Sequence, residues 1–272
     1  MSDFHPSRKL GQNFLVDQSV VRRIVESAKL SPGELVLEVG PGKGILTRGL
    51  LEAGARVLAV EMDFRLYEEL QETFAGESNL EIIRSDILDL DLSAELRKRL
   101  SSGEKASVVA NLPYSVSSQA IFAFLDASAY LRGITVMLQK EMAQRIAAGP
   151  GSKTYGSISA AIALHGGAKL LFKVGPGAFR PRPRVDSAVV GIEIAPMAEE
   201  AELAVARKVV RAAFARRRKQ LRNSLMEAPQ LTLSAEVIDR ALAQAGIDPK
   251  IRAEMLSAQE FLKLAAAIAA QG

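Results

Sequence analysis

The chain has 272 residues, 48% of them apolar and 24% charged, the balance of a globular protein with room for two cores. It has no cysteine and only two histidines, His5 and His165, which excludes disulfides, thiolate nucleophiles and a histidine-rich zinc site. The net charge of +4 is unevenly spread: between Leu203 and Met226 stand eight basic residues and no acidic one, a pattern suited to a polyanion.

No apolar run reaches the length of a membrane span, and the opening stretch MSDFHPSRKLGQNF lacks the apolar core of a signal peptide. A cytoplasmic protein without membrane partners is expected. Along the chain, short apolar and β-branched runs at 35–39, 57–61, 80–84, 107–110, 133–138, 170–174 and 188–194 predict strands. Segments with helical spacing, such as 65–74 and 117–125, lie between them. This alternation predicts an α/β fold, a mostly parallel sheet covered on both faces. Only a Gly/Pro/Arg-rich loop joins the last two runs, so these are expected to form an antiparallel pair at the sheet edge, with the last strand reversed. After Pro196 no strand pattern follows, and 200–225, 235–245 and 258–270 have helical spacing. The reading is a main domain at 1–196 and a small all-helical domain at 197–272.

The first informative motif is LVLEVGPGKGILT. A strand enters, Gly40, Gly42 and Gly44 form a turn, and a helix leaves, so backbone can pass close beneath a ligand. The Gly-x-Gly-x-Gly spacing differs from the dinucleotide fingerprint, and no P-loop lysine follows. Glu38, just before the turn, would repel a pyrophosphate and suit a cation. Glu61 ends the next strand, where a carboxylate can accept from two ribose hydroxyls. Asp86 follows the third strand and can accept from an adenine amine or cap the next turn. Three acidic residues at successive strand ends on one sheet edge fit a cationic nucleoside cofactor such as S-adenosylmethionine.

Four segments then occur in order: GQNFL at 11–15, EVGPGKG at 38–44, NLPY at 111–114 and FRPRPRVDSAVV at 179–190. The set resembles the ribosomal RNA adenine N6-dimethyltransferases, most of all their bacterial small-subunit branch, over almost the whole chain. The resemblance implies a Rossmann-like class I methyltransferase sheet with a C-terminal helical RNA-binding domain. It also implies S-adenosylmethionine as cofactor, held by Asn13, Leu15, Gly40, Gly42, Glu61, Asp86 and Asn111. Gln12 and Phe14 would belong to the same lid.

The chemistry explains NLPY. The N6 lone pair of adenine is delocalised into the ring, so the site must draw the nitrogen toward tetrahedral geometry. The Asn111 side-chain oxygen and the Leu112 carbonyl can accept its two hydrogens. Pro113 restricts Leu112 to extended backbone, and Tyr114 offers a face for the base. By resemblance, Phe179 covers the other side of a flipped base. Arg180, Arg182 and Arg184 flank it and are expected to hold phosphates, as are Arg216, Arg217, Arg218, Lys219 and Arg222 in the helical domain. Tyr155 and His165 read as packing residues.

The implied activity is dimethylation of N6 of two adjacent adenosines in the 3′-terminal hairpin loop of small-subunit (16S) ribosomal RNA. The expected partner is an assembling small subunit (pre-30S), met by a monomer without metal. Two alternatives remain open: a large-subunit (23S) adenine methyltransferase conferring macrolide resistance, and a non-catalytic RNA-binding assembly factor. Ser115 stands where the family more often has asparagine, and Arg184 where it often has lysine.

Overall fold

A computed structural model describes residues 13–216, 218–229 and 231–271. Gly11, Gln12 and Arg217, singled out above, lie outside the described residues. β1 (Phe14–Leu15) precedes α1 (Gln18–Ala28), β2 (Leu35–Val39), α2 (Ile45–Glu52), β3 (Arg56–Glu61), α3 (Phe64–Thr73), β4 (Leu80–Arg84), α4 (Leu92–Arg97), β5 (Ala106–Asn111), α5 (Ser117–Asp126) and β6 (Leu131–Gln139). Next come α6 (Lys140–Ile146), α7 (Ser157–Leu164), β7 (Gly166–Val174), β8 (Phe179–Arg180) and β9 (Ser187–Ile194). The chain closes with α8 (Glu200–Ala213), α9 (Leu221–Met226), α10 (Ala235–Ala245) and α11 (Ala258–Ala269).

Seven of these strands form one sheet in the order β4-β3-β2-β5-β6-β9-β7. The pairs β2–β3, β3–β4, β2–β5 and β5–β6 are parallel, and β9 runs antiparallel to β6. The expected α/β sheet with one reversed strand is therefore what folds. β2, with the sequence LVLEV, is buried at every position, as befits a central strand covered on both faces. β7 alternates half-buried and exposed residues and ends the sheet, with Lys169 and Lys173 exposed. Lysines on such an edge discourage pairing with another chain.

The strand order decides where a ligand can sit. From β2 the chain builds outward through β3 and β4, then returns to place β5 on the opposite side of β2. β2 and β5 pair directly, Val36 with Ser107 and Leu37 with Val108. Their C-terminal ends therefore lie side by side at the switch in strand order, where open α/β sheets bind ligands. One layer of the core beneath this edge joins Ile24 of α1 and Leu50 of α2 to Val36, Val57, Val109 and Val189 of the sheet.

The division into domains differs from the expected boundary at Pro196. Two units emerge, one up to Ala143 together with Lys169–Ile194, the other Gln144–Ala168 together with the chain from Ala195 onward. The reason lies in α7 and the turn before it. Tyr155, Ala160 and Leu164 are buried with Leu203, Val210 and Phe261. Tyr155 stacks edge-on against Phe214 at 6.0 Å, and its hydroxyl donates to the Leu256 carbonyl at 3.0 Å. His165 ends α7 wholly buried, with Arg207 Nη1 3.1 Å from its Nε2. Burial and the neighbouring guanidinium push the imidazole pKa down to about 4. The expected helix at 200–225 is also interrupted: α8 ends at Ala213 and α9 begins at Leu221, so Arg216, Arg218 and Lys219 lie in the turn between them.

Tyr155→Phe removes one buried hydrogen bond and leaves the Leu256 carbonyl without it. It is expected to destabilise the protein by about 1–3 kcal/mol in a denaturant titration. An unchanged transition would contradict the placement of this segment in the helical core.

Candidate active site

The turn after β2 is built from left-handed glycines: Gly40, Gly42 and Gly44 have φ of +65°, +58° and +74°. A side chain at Gly42 would also crowd the Phe14 ring, which a Cβ there would approach to 3.0 Å. At Gly40 a Cβ would reach the Pro113 ring at 3.4 Å. The glycine turn thus lies against both the Phe14 strand and the NLPY turn, as the pairing of β2 with β5 requires.

Together these pieces line one cavity that opens to solvent. Its wall includes Asn13, Phe14 and Leu15, the Gly40–Lys43 turn, Glu38, Glu61 and Met62, then Asn111 to Val116 and Phe179. Among the described residues, every one expected to touch cofactor or base is there except Asp86. Asp86 follows β4, but its Oδ1 accepts from the Leu88 N–H at 2.9 Å and it is not part of the cavity wall. Of the two roles open to it, capping the turn is the one this structure shows.

Two carboxylates face the cavity. Glu61 accepts from the Asp63 N–H at 2.9 Å and the Gly42 N–H at 3.3 Å, tying β3 to the glycine turn. Burial raises its pKa. Glu38 is 1% exposed and accepts from the Thr47 hydroxyl of α2 at 2.7 Å. Burial, with a smaller contribution from Glu61, raises its pKa to about 8. A cation placed beside this pair would restore the charged form, so the donor set fits a sulfonium-bearing nucleoside.

The NLPY turn is held at several points. The Leu112 N–H donates to the Met137 carbonyl of β6 at 3.0 Å, which prolongs the ladder past β5. The Val116 N–H reaches the Pro113 carbonyl at 3.2 Å, and the Ser117 hydroxyl reaches the Tyr114 carbonyl at 3.2 Å. The Tyr114 phenol lies 2.8 Å from the Ser187 hydroxyl of β9. Thr47, Ser117 and Ser187 carried no signal of these roles in the sequence. Ser187 lies 73 positions from Tyr114 and meets it only because β9 enters the sheet beside β6.

Two further findings revise the expectations. The GQNFL segment contributes a strand: β1 pairs antiparallel with β8, Leu15 opposite Phe179 and Phe14 opposite Arg180. Phe179 borders the cavity yet is only 1% exposed, packed with Leu15, Ala178 and Val189, so its ring is an anchor in this state and not an open face. Arg180, Arg182 and Arg184 are exposed beside it. In the helical unit Arg216, Arg218 and Lys219 are exposed, while Arg222 is half-buried. Arg216 and Lys219 pair with Glu227, and Arg222 forms a fork with Asp239 at 2.5 and 2.8 Å. Exposed pairs of this kind contribute only about 0–1 kcal/mol each, so a phosphate can displace them. Among the described residues no helix is long and apolar enough to cross a membrane, and no cluster of His, Asp and Glu could hold a metal ion.

Glu38 gives a pH signature to the protein without cofactor. The folded state keeps a proton that the unfolded state loses between the ordinary carboxylate pKa and about 8. Unfolding free energy therefore falls as pH rises through that window. The melting temperature of Glu38→Gln, relative to the parent protein, should climb between about pH 5 and pH 8. A constant difference across that range would contradict a protonated Glu38.

Comparison with known proteins agrees with this geometry. The family described as ribosomal RNA adenine dimethylase matches residues 4–270. The chain is 43% identical over 270 residues to a ribosomal RNA small subunit methyltransferase A of Geobacter metallireducens, covering 97% of this chain and 96% of the relative. It is 40% identical over 267 residues to the protein of that name from Shouchella clausii, covering 97% and 90%. Among solved structures it resembles the 23S rRNA methyltransferase ErmE, with a TM-score of 0.66, 27% identity and coverage of 94% of this chain and 100% of that one. A dimethyladenosine transferase from Plasmodium falciparum shares the fold, with a TM-score of 0.72, 23% identity and coverage of 92% and 95%. The chain belongs to the ribosomal RNA adenine dimethylase family, enzymes whose methyl donor is S-adenosylmethionine.

Proposed function

We propose that the protein dimethylates N6 of two adjacent adenosines in the 3′-terminal hairpin loop of small-subunit ribosomal RNA, acting as a cytoplasmic monomer on an assembling subunit. The observation that carries this reading is the shared cavity: the glycine turn after β2 and the NLPY turn after β5 line the same space. When bound, S-adenosylmethionine would supply an electrophilic methyl group on a sulfonium, with a neutral thioether as the leaving group. The chain's own contribution is then positioning and electrostatics.

Glu61 accepts from the ribose hydroxyls with the lone pairs not used by the Gly42 and Asp63 N–H groups. Glu38 and the Gly40–Gly42 backbone receive the cationic end, with Asn13 and Leu15 closing over it. Asp86, at the neighbouring strand end, retains one oxygen for the adenine amine of the cofactor. Asn111 Oδ1 and the Leu112 carbonyl accept the N6 hydrogens of the target, two before the first transfer and one before the second, which frees the nitrogen lone pair for the methyl carbon, and each transfer releases one N6 proton to solvent. Pro113 limits the Leu112 backbone to the extended range that aims this carbonyl. Tyr114 stacks on the base. Phe179 serves as a second face only after β8 swings its covered ring outward.

Arg180, Arg182 and Arg184 hold phosphates near the site. Arg216, Lys219 and Arg222 exchange Glu227 and Asp239 for RNA phosphates, and the exposed Arg218 adds a further phosphate contact. Such contacts position RNA without reading its sequence, so the shape of the hairpin supplies much of the selectivity. The names of the curated relatives favour the small subunit. The likeness to a large-subunit enzyme keeps one competing reading alive.

The test supplies undermethylated small subunits and naked large-subunit RNA with labelled cofactor, followed by mapping of N6,N6-dimethyladenosine. Label at adjacent adenosines of the small-subunit hairpin is expected; label confined to large-subunit RNA, or none with cofactor bound, would refute the proposal. Asn111→Ala should slow transfer by roughly 100-fold or more while cofactor affinity changes little. Transfer at the parent rate would remove Asn111 from its role.

A further inference from the structure

We propose that Ser187 is a positioning residue for methyl transfer: its buried hydroxyl clamps the Tyr114 phenol and so fixes the ring face on which the target base stacks. The proposal rests on the function proposed above and adds a residue to its machinery. Ser187 opens β9 and is 0% exposed. It pairs with Gln139 of β6, while Tyr114 stands just beyond β5. Because β6 lies between β5 and β9, the 2.8 Å bond reaches across a strand and attaches a loop side chain to the sheet.

The other restraints on this turn act on its backbone, through the Leu112 and Val116 N–H groups and the Tyr114 carbonyl. None of them sets the two side-chain torsions of a half-buried tyrosine. Those torsions decide where the ring face points, and the bond at the phenol tip restrains both. The sheet does not need this hydroxyl. The β6–β9 ladder is made by main chain, so alanine at position 187 leaves strand pairing intact. A phenol tied to a buried partner also contributes to the site through its face and not through its tip.

The experiment compares Ser187→Ala, Tyr114→Phe and the double variant on undermethylated small subunits. Each single variant should lower kcat about fivefold, the scale of one modest hydrogen bond. The cofactor dissociation constant, read by calorimetry, should stay at the parent value. The double variant should be no slower than either single one, because both remove the same bond. With 2-aminopurine at the target position of a hairpin RNA, both single variants should show weaker stacking quench than the parent. In protein labelled at its four tyrosines, the Tyr114 ring signal should shift in Ser187→Ala with no RNA present.

A parent-like kcat in Ser187→Ala, losses that multiply in the double variant, or an unmoved Tyr114 signal overturns the proposal. If Ser187→Ala does not fold, Tyr114→Phe decides alone: full quench with parent kcat overturns the clamp. A parent protein that modifies no small subunit would sink the proposed function instead, and the ring signal would still judge the clamp.

Discussion

The hydrogen-bonded pairing of β2 with β5 is the constraint on which the site depends. These strands are adjacent in the sheet, yet α2, β3, α3, β4 and α4 separate them in the chain. Parallel neighbours stand about 4.8 Å apart, so whatever follows one strand end lies against whatever follows the other. Glycine after β2 and proline after β5 answer that closeness, since a methyl group on Gly40 would already touch Pro113. The two turns proposed to seat the donor and to grip the acceptor are thereby brought to one cavity by main-chain pairing.

Burial then sets the electrostatics. Glu38 and Glu61 sit where water is scarce, and each carboxyl is pushed toward its neutral form. The protein holds this unfavourable arrangement with specific bonds, from Thr47 to Glu38 and from two backbone N–H groups to Glu61. A positively charged ligand relieves it. The acceptor side has the opposite character, with neutral oxygens on a turn held by bonds from Leu112, Val116, Ser117 and Tyr114. Restraint at so many points in four residues is what positional catalysis requires, because a turn free to move would surrender its advantage.

Much of the sheet was legible because its strands are short runs rich in apolar and β-branched residues; 35–39 and 80–84 fall on β2 and β4 as they fold. β7 starts at Gly166, before its apolar run, because edge pairing recruits residues whose side chains carry no strand signal. The domain boundary could not be read at α7, whose sequence SISAAIAL is apolar on almost every side and so names no particular core. β1 and β8 are two residues each, too short for any periodicity, and exist only through each other. The site motifs were visible as residue types, but their partners were not. Thr47 and Ser187 are ordinary helix and strand residues until the fold brings Glu38 and Tyr114 to them. Asp86 shows the converse: a well-placed carboxylate whose local turn claims one of its oxygens.

The most direct measurement is a crystal structure of the protein with a non-reactive cofactor analogue and the small-subunit hairpin RNA. The account predicts the analogue seated on the Gly40–Gly44 turn and a flipped adenine on Tyr114. Its N6 should lie about 3 Å from both Asn111 Oδ1 and the Leu112 carbonyl. An adenine amine bound elsewhere, with those two oxygens facing solvent or protein, would contradict it.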